Sequence, residues 1–134
     1  MSTPLIVFVD DTTVDVELAE IALAKAGIMP VCVRESSEDG LINCLRHRTP
    51  DVIVSDLSLP SFDGLAALRL ARSLTPGTPF IIYSGWIDDD RRRAAAALGA
   101  LGCADKNRPA ELVHLVKQAL QSSASKPVYD APVA

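Results

Sequence analysis

The sequence predicts a doubly wound α/β fold, in which five parallel strands alternate with five helices. Runs at residues 5–9, 51–55 and 79–83 are β-branched or aromatic and almost continuous in hydrophobicity. That marks strands covered on both faces rather than one. Between such runs lie segments with apolar residues at helical spacing, and strict alternation of the two argues a parallel sheet wrapped by helices. The 134 residues, 49% hydrophobic and 22% charged, suffice to bury roughly two-thirds of the unfolded surface in one core. They leave no room for a second folded domain.

The elements follow in order. The first strand, Leu5-Ile6-Val7-Phe8-Val9, ends at Asp10-Asp11. Val14, Leu18, Ile21 and Ala22 then recur at helical spacing, with Thr12 and Thr13 as N-cap candidates and Gly27 as a stop. Val31-Cys32-Val33 reads as a weaker second strand, and Leu41, Ile42 and Leu45 mark a short second helix. The strand at 51–55 leads to a third helix marked by Leu65, Leu68 and Ala71, and the strand at 79–83 to a fourth that Asp88-Asp89-Asp90 opens and Gly99 ends. Residues 101–104 form the weakest strand, included because the alternation requires it. Pro109, well suited to a first helical turn, starts a fifth helix carrying Leu112, Val113, Val116 and Leu120. The folded domain is expected over residues 4–121, with 122–134 as a flexible C-terminal tail of Ser, Ala, Pro and polar residues.

Thirteen Lys+Arg against 17 Asp+Glu give a formal charge of −4, which argues against non-specific nucleic-acid or anionic-membrane binding, since both want a basic stripe. Cys32, Cys44 and Cys103 lie at wide spacings with no zinc pattern, as expected of reduced thiols. The early apolar run is too short for a signal sequence or a membrane span. A soluble, cytoplasmic protein is expected.

The chemistry gathers at the strand ends. In a doubly wound fold the binding crevice lies at the carboxyl edge of the sheet. There the sequence places Asp10 and Asp11, then Asp56, then Ser84 and Gly85, then Lys106. Two unit charges about 4 Å apart interact by about 4 kcal/mol at an effective dielectric near 20, so three carboxylates need a cation or must protonate. Hard oxygen donors without His or Cys favour Mg²⁺. A hydroxyl and an ammonium opposite complete a clamp for a phosphoryl group, and a carboxylate can itself be the nucleophile.

The set Asp10-Asp11, Asp56, Ser84 and Lys106 resembles the receiver domain of two-component response regulators. Asp56-Leu57-Ser58-Leu59-Pro60-Ser61-Phe62-Asp63-Gly64 is similar to that family's phosphoacceptor loop, and residues 50–54 and Gly99-Ala100 also fit. The resemblance implies a flavodoxin-like, CheY-like sheet of order 2-1-3-4-5. It implies that Asp56 accepts phosphate from a phosphohistidine on a histidine kinase or phosphotransfer protein. Asp11 and Asp56 would hold Mg²⁺ by side chain, Ser58 by its backbone carbonyl and Asp10 through water. Ser84 and Lys106 would hold phosphoryl oxygens, with Ser84 moving toward the phosphate as the switch. A downstream protein would read the face of helix 4, strand 5 and helix 5. A monomer or weak dimer is expected, acting as a phosphorylation switch or phosphorelay intermediate rather than as a turnover enzyme.

Three positions depart from the family pattern. Cys103 stands where an aromatic usually couples to the Ser/Thr, Asn107 stands where Pro usually follows the Lys, and Trp86 flanks the pocket beside Gly85. The resemblance suggests that Trp86 screens the acyl phosphate from water; it also fits as packing on helix 4 or as a binding anchor.

Taken singly, these residues have plainer explanations. Asp10-Asp11 suits a helix start, Asp56 a turn with Pro60, Ser84 an ordinary loop hydroxyl and Lys106 a surface lysine. Only their order at successive strand ends lifts them. Arg91-Arg92-Arg93 reads as a solvated helix face, with Asp88 and Asp89 four residues before Arg92 and Arg93. Cys103 reads as a small core residue, and His47 and His114 as helix-edge residues. Two other functions fit the scaffold: a protein-binding module that works without phosphorylation, and a small Mg²⁺-dependent phosphohydrolase. The latter wants an acid two residues after the nucleophile, where Ser58 stands.

Overall fold

The structure, a computed structural model, describes residues 3–130. Its elements run β1 (Leu5–Val9), α1 (Thr13–Lys25), β2 (Val31–Glu35), α2 (Glu38–His47), β3 (Val52–Ser55), α3 (Gly64–Leu74), β4 (Phe80–Ser84), α4 (Asp89–Ala97), β5 (Gly102–Asp105) and α5 (Pro109–Asp130). The strands form one parallel sheet in the order β2-β1-β3-β4-β5, as the resemblance implies. Every predicted strand is present, including the weakest.

The pleat explains the continuous apolar runs. Ile6 and Phe8 of β1, Val52 and Val54 of β3, and Ile81 and Tyr83 of β4 face a core shared with α1 and α5. Their neighbours Val7, Val9, Ile53, Phe80 and Ile82 face a second core with α2, α3 and α4. Successive side chains point to opposite faces, so a strand sandwiched by helices has no polar face to show.

Helix α1 departs from the expected face. Its buried residues are Val16, Ala19 and Leu23, whereas Val14, Leu18 and Ile21 are 57%, 55% and 52% exposed. Both stripes carry helical spacing. The sheet takes the stripe of Val16, Ala19 and Leu23, which joins the core with Ile6 and Phe8 of β1. Thr12 holds the N-cap position but makes no side-chain cap bond, and Thr13 is already helical. Ser37, Asp63 and Asp88 do cap α2, α3 and α4, accepting from the amides of Gly40, Ala66 and Arg91. Gly27 and Gly99 take positive φ, 85° and 96°, just past α1 and α4, the left-handed turn that ends a helix.

The basic run of α4 pairs at i,i+3 rather than i,i+4: Asp88 with Arg91 at 2.8 Å and Asp90 with Arg93 at 2.5 Å. Asp88 caps the helix and so meets the nearer arginine. Helix α5 continues to Asp130, beyond the boundary expected at 121. The rest of the expected tail, 131–134, lies outside the described residues. Among the described residues no helix is long and apolar enough to cross a membrane.

Candidate functional site

Each site residue sits where its strand stops. β1 delivers Asp10, whose amide donates to Glu35 O at 3.0 Å, and β3 delivers Asp56, whose amide donates to Val9 O at 2.9 Å. Ser84 is the last residue of β4, and Lys106 follows β5 with its amide on Ser84 O at 3.0 Å. The ladder bonds that close the sheet therefore also fix the spacing of the functional side chains.

The structure brings Asp56, Ser84, Lys106 and Asp10 together. Asp56 Oδ1 accepts from the Leu57 amide at 2.7 Å, the Ser58 amide at 3.3 Å and the Ser84 hydroxyl at 2.7 Å. Among the described residues its Oδ2 accepts from Lys106 Nζ alone, at 2.8 Å, and is the less committed oxygen. Asp10 Oδ1 accepts from the Thr12 amide at 2.9 Å and Oδ2 from Lys106 Nζ at 2.8 Å. The expected movement of Ser84 finds its hydroxyl already against Asp56.

Burial and pairing oppose each other here. Burial pushes the Asp10 carboxyl up, and the Lys106 and Thr12 bonds do not offset it. Burial also pushes Asp56 up, but Lys106 and the Ser84 hydroxyl outweigh it and hold this carboxyl below its ordinary value. The two share one ammonium, yet Asp10 is the more enclosed, with its side chain 5% exposed against 13% for Asp56. Burial alone would lower the Lys106 ammonium; bonds to Asp10, Asp15 and Asp56 raise it instead.

Carboxylate oxygens of Asp10, Asp11 and Asp56 lie within 4.8 Å of one another. With no sulfur or imidazole among them, they fit a hard divalent cation such as Mg²⁺. Asp11 is exposed and gives the cluster its open side. Ser58 is also exposed, in an isolated antiparallel bridge with Asp63.

Two contributors were not legible as such. Asp15, on the first turn of α1, places Oδ2 2.8 Å from Lys106 Nζ; it lies at no strand end, so the strand-end logic passes over it. Gly64 has a packing reason: a Cβ there would lie 2.3 Å from Asp56 O and 2.8 Å from Leu57 Cα. Only glycine lets α3 start against the Asp56 loop. At Gly85 a Cβ would meet nothing within 4 Å.

The departures have local accounts. The Asn107 amide donates to Asp105 Oδ1 at 2.8 Å, a bond that proline, lacking N–H, could not make. Cys103 is half-buried in β5 and packs in the core shared with α4, and burial pushes its thiol up. That is a packing residue rather than a reactive thiolate. Burial raises the Cys44 thiol as well, and that of Cys32 to about 12. Trp86 is 70% exposed, with the Arg91 guanidinium over its ring at 5.9 Å from the centroid. It shares a small pocket with Ser84, Ile87 and Asp105.

Comparison with known proteins identifies the family. Residues 6–117 match the response regulator receiver domain, and the chain belongs to that family. It is 33% identical over 100 residues to the DNA-binding transcriptional regulator NtrC of Salmonella typhimurium, covering 75% of this chain and 21% of that protein. It is 31% identical over 93 residues to a protein-glutamate methylesterase/protein-glutamine glutaminase of Archaeoglobus fulgidus, covering 69% of this chain and 26% of that one. The chain thus spans about a fifth to a quarter of these curated relatives. Among solved structures, a putative response regulator from Chloroflexus aurantiacus matches with a TM-score of 0.78 and 27% identity, covering 90% of this chain and 99% of that one. A CheY-like receiver domain protein from Methanospirillum hungatei matches with a TM-score of 0.80 and 23% identity, covering 93% and 99%.

Proposed function

We propose that the protein is a phosphorylation switch or phosphorelay intermediate in which Asp56 accepts a phosphoryl group from a phosphohistidine. The observation that carries this is one carboxylate held between the Ser84 hydroxyl at 2.7 Å and the Lys106 ammonium at 2.8 Å, beside two further acids. A carboxylate oxygen of Asp56 attacks phosphorus, an O–P bond forms, the N–P bond to the donor imidazole breaks, and the imidazole nitrogen takes up a proton. Lys106 and Ser84 meet the charge on the phosphoryl oxygens. Asp10, Asp11, Asp56 and the Ser58 carbonyl would hold Mg²⁺, which would supply positive charge to offset that of the acids and the incoming phosphoryl group.

Receiver domains interact with histidine kinases or phosphotransfer proteins. For this chain the donor is read as approaching over the α1–α5 groove, because Asp15 and Lys106 line it together with Leu18, Ile21 and Val113. The phosphorylated state is read by a protein at the α4–β5–α5 face, and Trp86 screens the acyl phosphate. The protein acts on its own Asp56 only, in the cytoplasm.

The test is intact-protein mass after incubation with acetyl phosphate and Mg²⁺, beside Asp56→Asn. One phosphoryl adduct on the wild type and none on the variant is expected. No adduct at any Mg²⁺ concentration would replace this proposal with a binding module that works without phosphorylation.

A further inference from the structure

The Lys106 ammonium has three N–H donors, and all three go to carboxylates: Asp10, Asp15 and Asp56, each at 2.8 Å. Asp10 and Asp56 belong to the cluster whose oxygens converge within 4.8 Å, and Asp15 does not. Asp15 stands instead on the first turn of α1, its side chain 34% exposed. When a cation and a phosphoryl group engage Asp10 and Asp56, these two acids turn to new partners. Lysine is a point charge on a flexible stem, and Asp15 is then the acid still free to hold it.

We propose that Asp15 is a positioning residue, an anchor that fixes the Lys106 ammonium beside Asp56 so that its other donors meet the phosphoryl oxygens. This rests on Asp56 being the phosphoacceptor. An acid in a first helical turn is also favourable to the helix dipole. The dipole, however, asks only for negative charge and not for an oxygen aimed at one ammonium.

The two roles separate in a pair of variants. Asp15→Ala removes charge and acceptor together, whereas Asp15→Asn removes the charge and keeps an amide oxygen at the same reach. The measurement is the rate of adduct formation with acetyl phosphate at saturating Mg²⁺, with thermal melts to show that each variant is folded. Asp15→Ala should slow phosphorylation about tenfold, the loss of one charge-assisted hydrogen bond to the reacting centre. Asp15→Asn should slow it only about threefold, since a neutral acceptor remains. A helix-dipole or long-range charge role makes the two variants equal. The order wild type, Asn, Ala supports the anchor, and any other order among phosphorylated proteins overturns it while Asp56 keeps its role. No adduct on the wild type overturns both.

Discussion

Lys106 neutralises one of three carboxylates that touch it, and its side chain is only 14% exposed. Removing it leaves Asp10 and Asp56 enclosed without a counter-charge, which for buried pairs costs about 3 kcal/mol. The pH dependence follows from the shifts. Asp56 is held below its ordinary value, so its share of stability is present above the unfolded value of about 3.9. That share is lost as pH falls through the folded value. Lys106 is raised, so its share is complete below the unfolded value of about 10.4 and is lost as pH rises through the folded one. Asp10, raised by burial, works against stability once ionised. The stability gap between wild type and Lys106→Met should therefore be widest near neutral pH and begin to narrow below about pH 4 and above about pH 10.4. Urea unfolding across a pH series measures it; a gap that is flat with pH would sink the account.

At the scale of elements, the loop from β3 to α3 sets the position of Asp56. Gly64→Ala elsewhere in a helix would stabilise by about 1 kcal/mol. Here the new methyl meets the Asp56 carbonyl oxygen at 2.3 Å, and backbone must move. A loss of about 1–3 kcal/mol is expected, together with slower phosphorylation. Gly85→Ala, with nothing within 4 Å of the new atom, is the control that should fold as the wild type does. Chemical denaturation of the two variants checks both statements.

How much of these elements could be read beforehand differed with chemistry. At the sheet edges β2 and β5 are less apolar, and β5 was read only from the alternation; β1, β3 and β4 were legible because a strand covered on both faces writes one uninterrupted apolar run. The buried stripe of α1 was not: Val14, Leu18 and Ile21 compete with Val16, Ala19 and Leu23, and only the sheet decides between them. Asp10, Asp56, Ser84 and Lys106 were legible as a constellation because strand ends in a parallel sheet share one edge. Asp15 reaches the same ammonium from a helix, where no such rule applies. The pairing of Arg91 with Asp88 went unread because one acid both caps the helix and chooses its arginine.

For the molecule as a whole, a cation at the acidic cluster would bind only the folded state, where Asp10, Asp11 and Asp56 meet. Stabilisation then follows mass action, about 2.7 kcal/mol at a hundredfold excess over the dissociation constant. Raising Mg²⁺ should lift the thermal midpoint of the wild type by several degrees and leave Asp11→Asn/Asp56→Asn nearly unmoved. Calorimetric scans at constant ionic strength test this; an equal rise in both proteins would assign the effect to general screening.

The bond between Lys106 and Asp10 spans 96 positions of the chain, and β1 lies between β2 and β3, both of which come later in the chain. A growing polypeptide has Asp10 and Asp11 early, Asp56 midway and the Lys106 ammonium only near the end of the domain. If Asp56 accepts phosphate as proposed, the mark is expected mainly on copies in which β5 has docked and set the Lys106 ammonium 2.8 Å from the acceptor.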